Sequence, residues 1–216
     1  MIDILDLGRC AYEEALNIQY DLLKKRQADE INDTLILVEH FPVITMGRRA
    51  EKGNILGSQQ VLNENGIEVF ESDRGGDVTY HGFGQIVGYP IFKLKGSRMG
   101  IRQFVRNIED TFIKLLKAEY NINSNRHFKN TGVWVGDDKI VAIGLAVKRG
   151  VTMHGFALNV NTNLNHFNFI VPCGIQDKGV TSVKNIIGKE EDLEEVKDKV
   201  IKHFKEVFNK SMKDVL

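Results

Sequence analysis

The chain reads as an α+β protein, a mixed and largely antiparallel sheet flanked by helices. Three observations predict this. Apolar residues recur at helical spacing near both ends and in the middle of the 216 residues. Between them lie seven short runs rich in β-branched residues. The two kinds of segment do not alternate strictly, as a doubly wound parallel sheet would require. With 42% hydrophobic and 27% charged residues, the chain has the apolar content for a core. At this length one unit is expected.

Taken in order, Ala11, Ala15, Ile18 and Leu22 mark a first helix by their spacing of four, three and four. Strands are expected at Thr34–Glu39, Val43–Met46, Ile67–Glu71 and Ile86–Ile91. Ile101, Phe104, Val105, Ile108, Phe112, Leu115 and Leu116 draw a long apolar stripe for a second helix. Thr131–Val135, Lys139–Val147 and Val151–Leu158 follow as a three-strand antiparallel meander, with turns at Gly136-Asp137-Asp138 and Lys148-Arg149-Gly150. Leu193, Val196, Val200, Phe204 and Val207 form a last helix, led by Glu190, Glu191 and Asp192, where the helix dipole favours acids. A composition shift over Ser182–Glu191 makes a small C-terminal helical part conceivable.

The densest segment is Arg74–Gln85, RGGDVTYHGFGQ, with four glycines between two expected strands. Read as a strand-to-strand loop, it lets backbone approach a ligand closely, with Arg74 and His81 as polar handles. It lacks GKS/T and opens no helix, so neither the P-loop nor the dinucleotide fingerprint fits.

Bulk properties exclude several classes. Lysine plus arginine equals aspartate plus glutamate at 29 each, which argues against nucleic-acid binding by net charge. No apolar run reaches the roughly 20 residues a membrane span needs, and the acidic N-terminus is unlike a secretory signal. Cys10 and Cys173 are far apart and lack metal-ligand spacing, so a reducing cytoplasm is expected, with no disulfide framework and no metal site.

Cys173 stands between Pro172 and Gly174, which fix it on a loop. It reads either as a small buried hydrophobe or as a nucleophile. A thiol of ordinary pKa, about 8.5, is only slightly ionised at neutral pH and needs a cation or base nearby. His81 and His154, in glycine-containing segments, are the best placed of six histidines. Lys139, at the head of an apolar strand, is either a solvated strand end or the cation such a cysteine requires.

Together, RGGDVTYHGFGQIVGYPI, KIVAIGLAVKRGVTMHGFALNV and VPCGIQDKGVTSV, with VEHFPVITMGR at Val38–Arg48, strongly resemble the lipoyl (octanoyl) transferase family. The resemblance runs in order from about position 38 to 183. It implies the fold shared by biotin and lipoate protein ligases, as one catalytic domain over 1–216. It implies transfer of an octanoyl or lipoyl group from acyl carrier protein, with Cys173 carrying the acyl thioester and Lys139 lowering the thiol pKa. Substrate contacts would come from Arg74, Gly75, Gly76, Asp77, Val78, Thr79, Tyr80 and His81. Ala142, Ile143 and Gly144, with Gly155, Phe156 and Ala157, would add to them. The implied acceptors are lipoyl domains of 2-oxoacid dehydrogenase complexes and the glycine cleavage H protein. No cofactor, nucleic acid or membrane is implied. Two departures stand out: Phe83 and Phe41 occupy positions where the family usually has proline.

Two rivals are weighed. An ATP-dependent lipoate or biotin ligase shares the fold, but its GRGRxGR or RRxSGGG loop is missing, with a single Arg74 before Gly75-Gly76. A non-catalytic carrier-binding module would leave Cys173 and Lys139 unexplained. The basic pairs available to meet an acidic carrier are Arg48-Arg49 and Lys148-Arg149.

Overall fold

The structure, a computed structural model, describes residues 1–96, 99–171 and 179–213. The elements run β1 (Ile2–Cys10), α1 (Tyr12–Gln27), β2 (Asp33–His40), β3 (Val43–Met46), α2 (Gln59–Glu64), β4 (Glu68–Glu71), β5 (Val78–His81) and β6 (Gln85–Ile91). Then come α3 (Ile101–Tyr120), β7 (Asn125–Arg126), β8 (Val133–Val135), β9 (Asp138–Lys148), β10 (Val151–Asn159), β11 (Gly179–Val180), α4 (Val183–Ile187) and α5 (Leu193–Lys213). The larger sheet has the order β1-β2-β6-β10-β9-β8-β7, with β11 added parallel to the start of β9. Among the described residues, only β1–β2 and β9–β11 are parallel in it. A smaller sheet, β4-β3-β5, stands apart.

Alternation along the central strands divides the core. Leu35 and Leu37, Ile86, and Phe156 and Leu158 face α3 and α5, joining Phe104, Phe112, Val200, Phe204 and Phe208. Ile36 and Val38, Val87, Tyr89 and Ala157 face the other way, toward Ala15 and Leu23 of α1. The C-terminal helix is therefore part of the main core rather than an appendage. The small sheet builds its own cluster from Ile44, Ile67, Val78 and Tyr80 with Leu62 and Phe167.

Three differences from the sequence reading are informative. β1 lay unread in IDILDL, because its charged residues suit an edge strand rather than a buried one. The buried stripe of α1 is Tyr12, Ala15, Gln19 and Leu23, so the helix is rotated from the face Ile18 and Leu22 suggest. Gln19 is buried because its Oε1 accepts the His154 N–H at 2.8 Å, serving a β10 backbone that turns left-handed at His154 (φ 56°). Finally, the glycine-rich segment is not a simple loop. Its middle is β5, paired antiparallel to β3 from Val43↔His81 to Met46↔Val78. No helix among the described residues is long and apolar enough to cross a membrane.

Candidate active site

A cavity of about 530 Å3 opens between the small sheet, the exposed edge of β9 and the first turn of α3. It is lined by Arg74–Thr79 and His81, by Ala142–Gly144 and by Gly155–Ala157, together with Lys139. Segments some seventy residues apart thus share one wall. Tyr80 does not line the cavity. Strand alternation turns it into the core of the small sheet, where its hydroxyl meets His166 Nδ1 at 2.7 Å.

Backbone contacts clamp the glycine-rich approach to β5. The Gly75 N–H donates to Leu145 O at 2.9 Å. A Cβ on Gly144 would lie 2.7 Å from Gly75 O, and one on Gly47 would lie 2.5 Å from Gly76 O. These glycines let two backbones touch, and glycine here makes room for chain rather than for ligand. Buried Arg74 fastens the same loop to β3: Nε donates to Thr45 Oγ1 at 3.0 Å, and Nη2 donates to Thr45 O at 2.6 Å and to Oγ1 at 2.9 Å. Asp73 meets Lys148 and accepts from His154 Nε2 at 2.7 Å. Burial raises the Asp73 carboxyl, but the Lys148 and His154 hydrogen bonds outweigh it and bring the pKa to about 2.

A neutral polar cluster lies behind the cavity wall and reaches it through His81, Tyr12 and Tyr89. Gln85 Nε2 donates to Tyr80 O and to Asn159 Oδ1, which turns its Oε1 toward His81 at 2.7 Å. His81 Nδ1 therefore carries the proton and Nε2 is an acceptor. Burial, with His40 nearby, pushes His81 down to about 3. His40 donates from Nδ1 to Cys10 O at 2.9 Å and accepts from the Tyr89 hydroxyl at 2.7 Å. Burial takes it to about 4. Tyr12 stacks parallel to His81 with centroids 6.3 Å apart. Tyr12 belongs to no motif read in the sequence, and Tyr89, inside the expected strand Ile86–Ile91, was not singled out there.

Lys139 is buried at the start of β9, with Nζ 4.7 Å from the centre of the Trp134 ring. Cys173 lies outside the described residues, but the chain on either side of its segment is placed. Val171 N–H donates to Asn54 O at 2.8 Å, and Asn54 Nδ2 donates to Asp77 Oδ2 at 2.8 Å. On the far side, Gly179 and Val180 pair with Asp138 and Lys139. Both anchors border the cavity.

The two departures from the family pattern meet in space. Phe41 and Phe83 pack edge to face at 5.9 Å, half-exposed, with the Arg9 guanidinium 5.1 Å from the Phe83 ring. The turn that holds Phe83 is fixed by the Gly84 N–H to Glu39 Oε1 at 2.8 Å. Neither phenylalanine lines the cavity.

A mixed sheet carrying a cavity lined by apolar and polar residues together, with a buried lysine in its wall, is the architecture of a catalytic domain of the ligase and transferase fold. The chain belongs to the lipoyl protein ligase A/B catalytic domain family, whose model matches residues 11–205. Among curated relatives, an octanoyltransferase of Alkaliphilus metalliredigens (strain QYMF) is 58% identical over 96% of this chain and 95% of its own length. One of Caldicellulosiruptor bescii is 54% identical over 98% and 93%. Among solved structures, lipoate-protein ligase A bound with ATP superposes with a TM-score of 0.76 at 16% identity, over 96% of this chain and 85% of the other. The biotin protein ligase of Aquifex aeolicus gives 0.56 at 14%, over 98% and 70%. The fold is the one shared by these ligases.

Proposed function

We propose that this chain, as one catalytic domain over 1–216, moves an octanoyl group from acyl carrier protein to a lysine of a lipoyl domain through a thioester on Cys173. The supporting observation is convergence. Three sequence-distant segments and Lys139 line one cavity, and both ends of the segment holding Cys173 are anchored at its border. The relatives at 58% and 54% identity bear the name octanoyltransferase.

In the first half-reaction the Cys173 thiolate attacks the octanoyl thioester. The carrier sulfur leaves as a thiol, taking up one proton. In the second, the acceptor lysine amine attacks the Cys173 thioester. The Cys173 sulfur leaves, an amide forms, and the amine gives up one proton. One thioester replaces another and is then exchanged for a more stable amide, so no nucleotide is consumed. Lys139 supplies the cation beside the thiolate and takes part in moving the amine proton.

The oxyanion needs N–H donors. Gly75 is removed from the candidates, because its N–H is committed to Leu145 O. Leu145 O points away from β10, and by alternation Ile143 turns the same way, which leaves its N–H as the donor we favour. The acyl tail runs along Ala142 and Ala157, which face each other across β9 and β10. The acceptors are lipoyl domains of 2-oxoacid dehydrogenase complexes and the glycine cleavage H protein. A reducing cytoplasm keeps the thiol available.

Intact-mass analysis tests this. Protein mixed with octanoyl-acyl carrier protein gains one octanoyl group, and Cys173→Ser gains none. Octanoylation of a lipoyl domain that survives in Cys173→Ser, and depends on ATP and free octanoate, would establish the ligase reading instead.

A further inference from the structure

We propose that Trp134 is a positioning residue for Lys139, and that a bulge in β9 serves to set the lysine ammonium on the indole face. This rests on the role given to Lys139 above.

The pairing of β8 with β9 runs Val133↔Val141 and then Trp134↔Lys139. β9 therefore contributes one residue more than β8 between these pairs. In a regular ladder Trp134 would oppose Ile140, and Lys139 would oppose Val135. The extra residue re-aims the lysine, a use of bulges that recurs beside functional sites. Directly opposed residues share a face. Here the result is Nζ 4.7 Å from the ring centre, with Lys139 and Trp134 7% and 3% exposed.

The surroundings are shaped to this contact. Gly132 has φ 130°, and a Cβ there would meet Val141 O at 2.5 Å and the Lys139 Cδ and Cε at 3.5 Å. The lysine stem thus runs past a position where a side chain would crowd it. The indole is itself held: Nε1 donates to Asn130 O at 3.2 Å, and the His127 ring lies 5.3 Å away. Charged groups around it include Asp138, next along β9, Lys129 in the same cavity wall, and Glu109. Glu109 accepts from Gly132 N–H at 3.1 Å and pairs with Arg126 at 2.8 Å.

The Lys139 backbone is fixed separately. Its carbonyl accepts the Thr181 N–H at 3.0 Å, just past β11, the strand that follows the Cys173 segment. A lysine is a point charge on a flexible four-carbon stem. β11 ties its backbone to the chain that follows the Cys173 segment, and Trp134 gives the ammonium a ring face to sit on.

Trp134 is the sole tryptophan, so tryptophan emission reports the surroundings of this one indole. Lys139→Met leaves the indole in place and is expected to change its emission intensity. The second readout is the pH profile of iodoacetamide alkylation of the intact protein. Cys10 is silent in it, since burial and the neighbouring Glu14 push that thiol up to about 11. Trp134→Leu is expected to move the alkylation profile to higher pH, in the direction of Lys139→Ala. It should also slow octanoyl-adduct formation by roughly 3- to 30-fold, the span of a buried cation–π contact. Trp134→Phe keeps a ring face and is expected to recover most of the loss. Unchanged emission in Lys139→Met overturns the contact. A wild-type alkylation profile in folded Trp134→Leu, beside a shifted Lys139→Ala, overturns the positioning role. If Trp134→Leu does not fold, a Trp134→Phe profile as displaced as that of Lys139→Ala overturns the ring-face argument. An unshifted Lys139→Ala overturns the reading of Lys139 itself and takes the positioning role with it.

Discussion

Lowering the pH from 7 to 5 is expected to destabilise this protein through two buried histidines. His81 lines the cavity and His40 is buried beside it, with pKa values of about 3 and about 4 respectively, against an ordinary value of 6.5. In the unfolded chain both rings take up protons below pH 6.5, while in the folded protein they stay neutral until the pH nears their depressed values. The unfolded state therefore binds more protons across this window, and stability falls as the pH falls. The contribution is present in full above pH 6.5 and is lost on the way down to about pH 4 for His40 and about pH 3 for His81. At pH 5 the medium lies 1.5 units below the unfolded value. At 1.36 kcal/mol per unit, each ring loses about 2 kcal/mol, and the pair about 4 kcal/mol. Burial lowers His154 as well, which acts with the same sign. Urea denaturation at pH 7, 6 and 5 measures the loss, and His40→Asn should flatten the slope by about one proton. A stability that does not change between pH 7 and 5 would refute the neutral, buried cluster.

Ala142→Leu places three more carbons in the cavity opposite Ala157. It should turn the preference from octanoyl toward shorter chains by about tenfold or more, as read by intact mass with carrier proteins of graded acyl length. Gly155→Ala would put a Cβ 2.0 Å from Gly88 O and 2.6 Å from Pro90 Cδ. Backbone must move, so a destabilisation of about 3 kcal/mol and a melting point lower by roughly 10 °C are expected in a thermal melt. Thr45→Val keeps the shape but removes the hydroxyl that accepts Arg74 Nε–H and Nη2–H. Charge-assisted bonds of this kind place the loss at about 2–3 kcal/mol in urea, with slower octanoyl transfer because Arg74 holds the glycine loop.

The helices α3 and α5, the meander β8–β10 and strands β2, β3 and β6 were legible because period and β-branching are local properties. β5 was not. Its four residues are embedded among glycines, and only pairing with β3 makes them a strand. The glycines themselves announced a close approach without naming the partner. At Gly144 it is the Gly75 carbonyl, and at Gly155 it is the Gly88 carbonyl.

From its order of motifs, the sequence by itself determined the family and the three segments that line the cavity, and it supplied the pair Cys173 and Lys139 on which the proposed mechanism rests. Tertiary structure decided which of those residues face it. Tyr80 leaves the site because a strand alternates, and Gly75 loses its N–H to Leu145 because the loop lies on the edge of β9. Trp134 enters because one extra residue in β9 changes which side chain it meets. Alternation and register are relations between strands, and they exist only once the strands are paired.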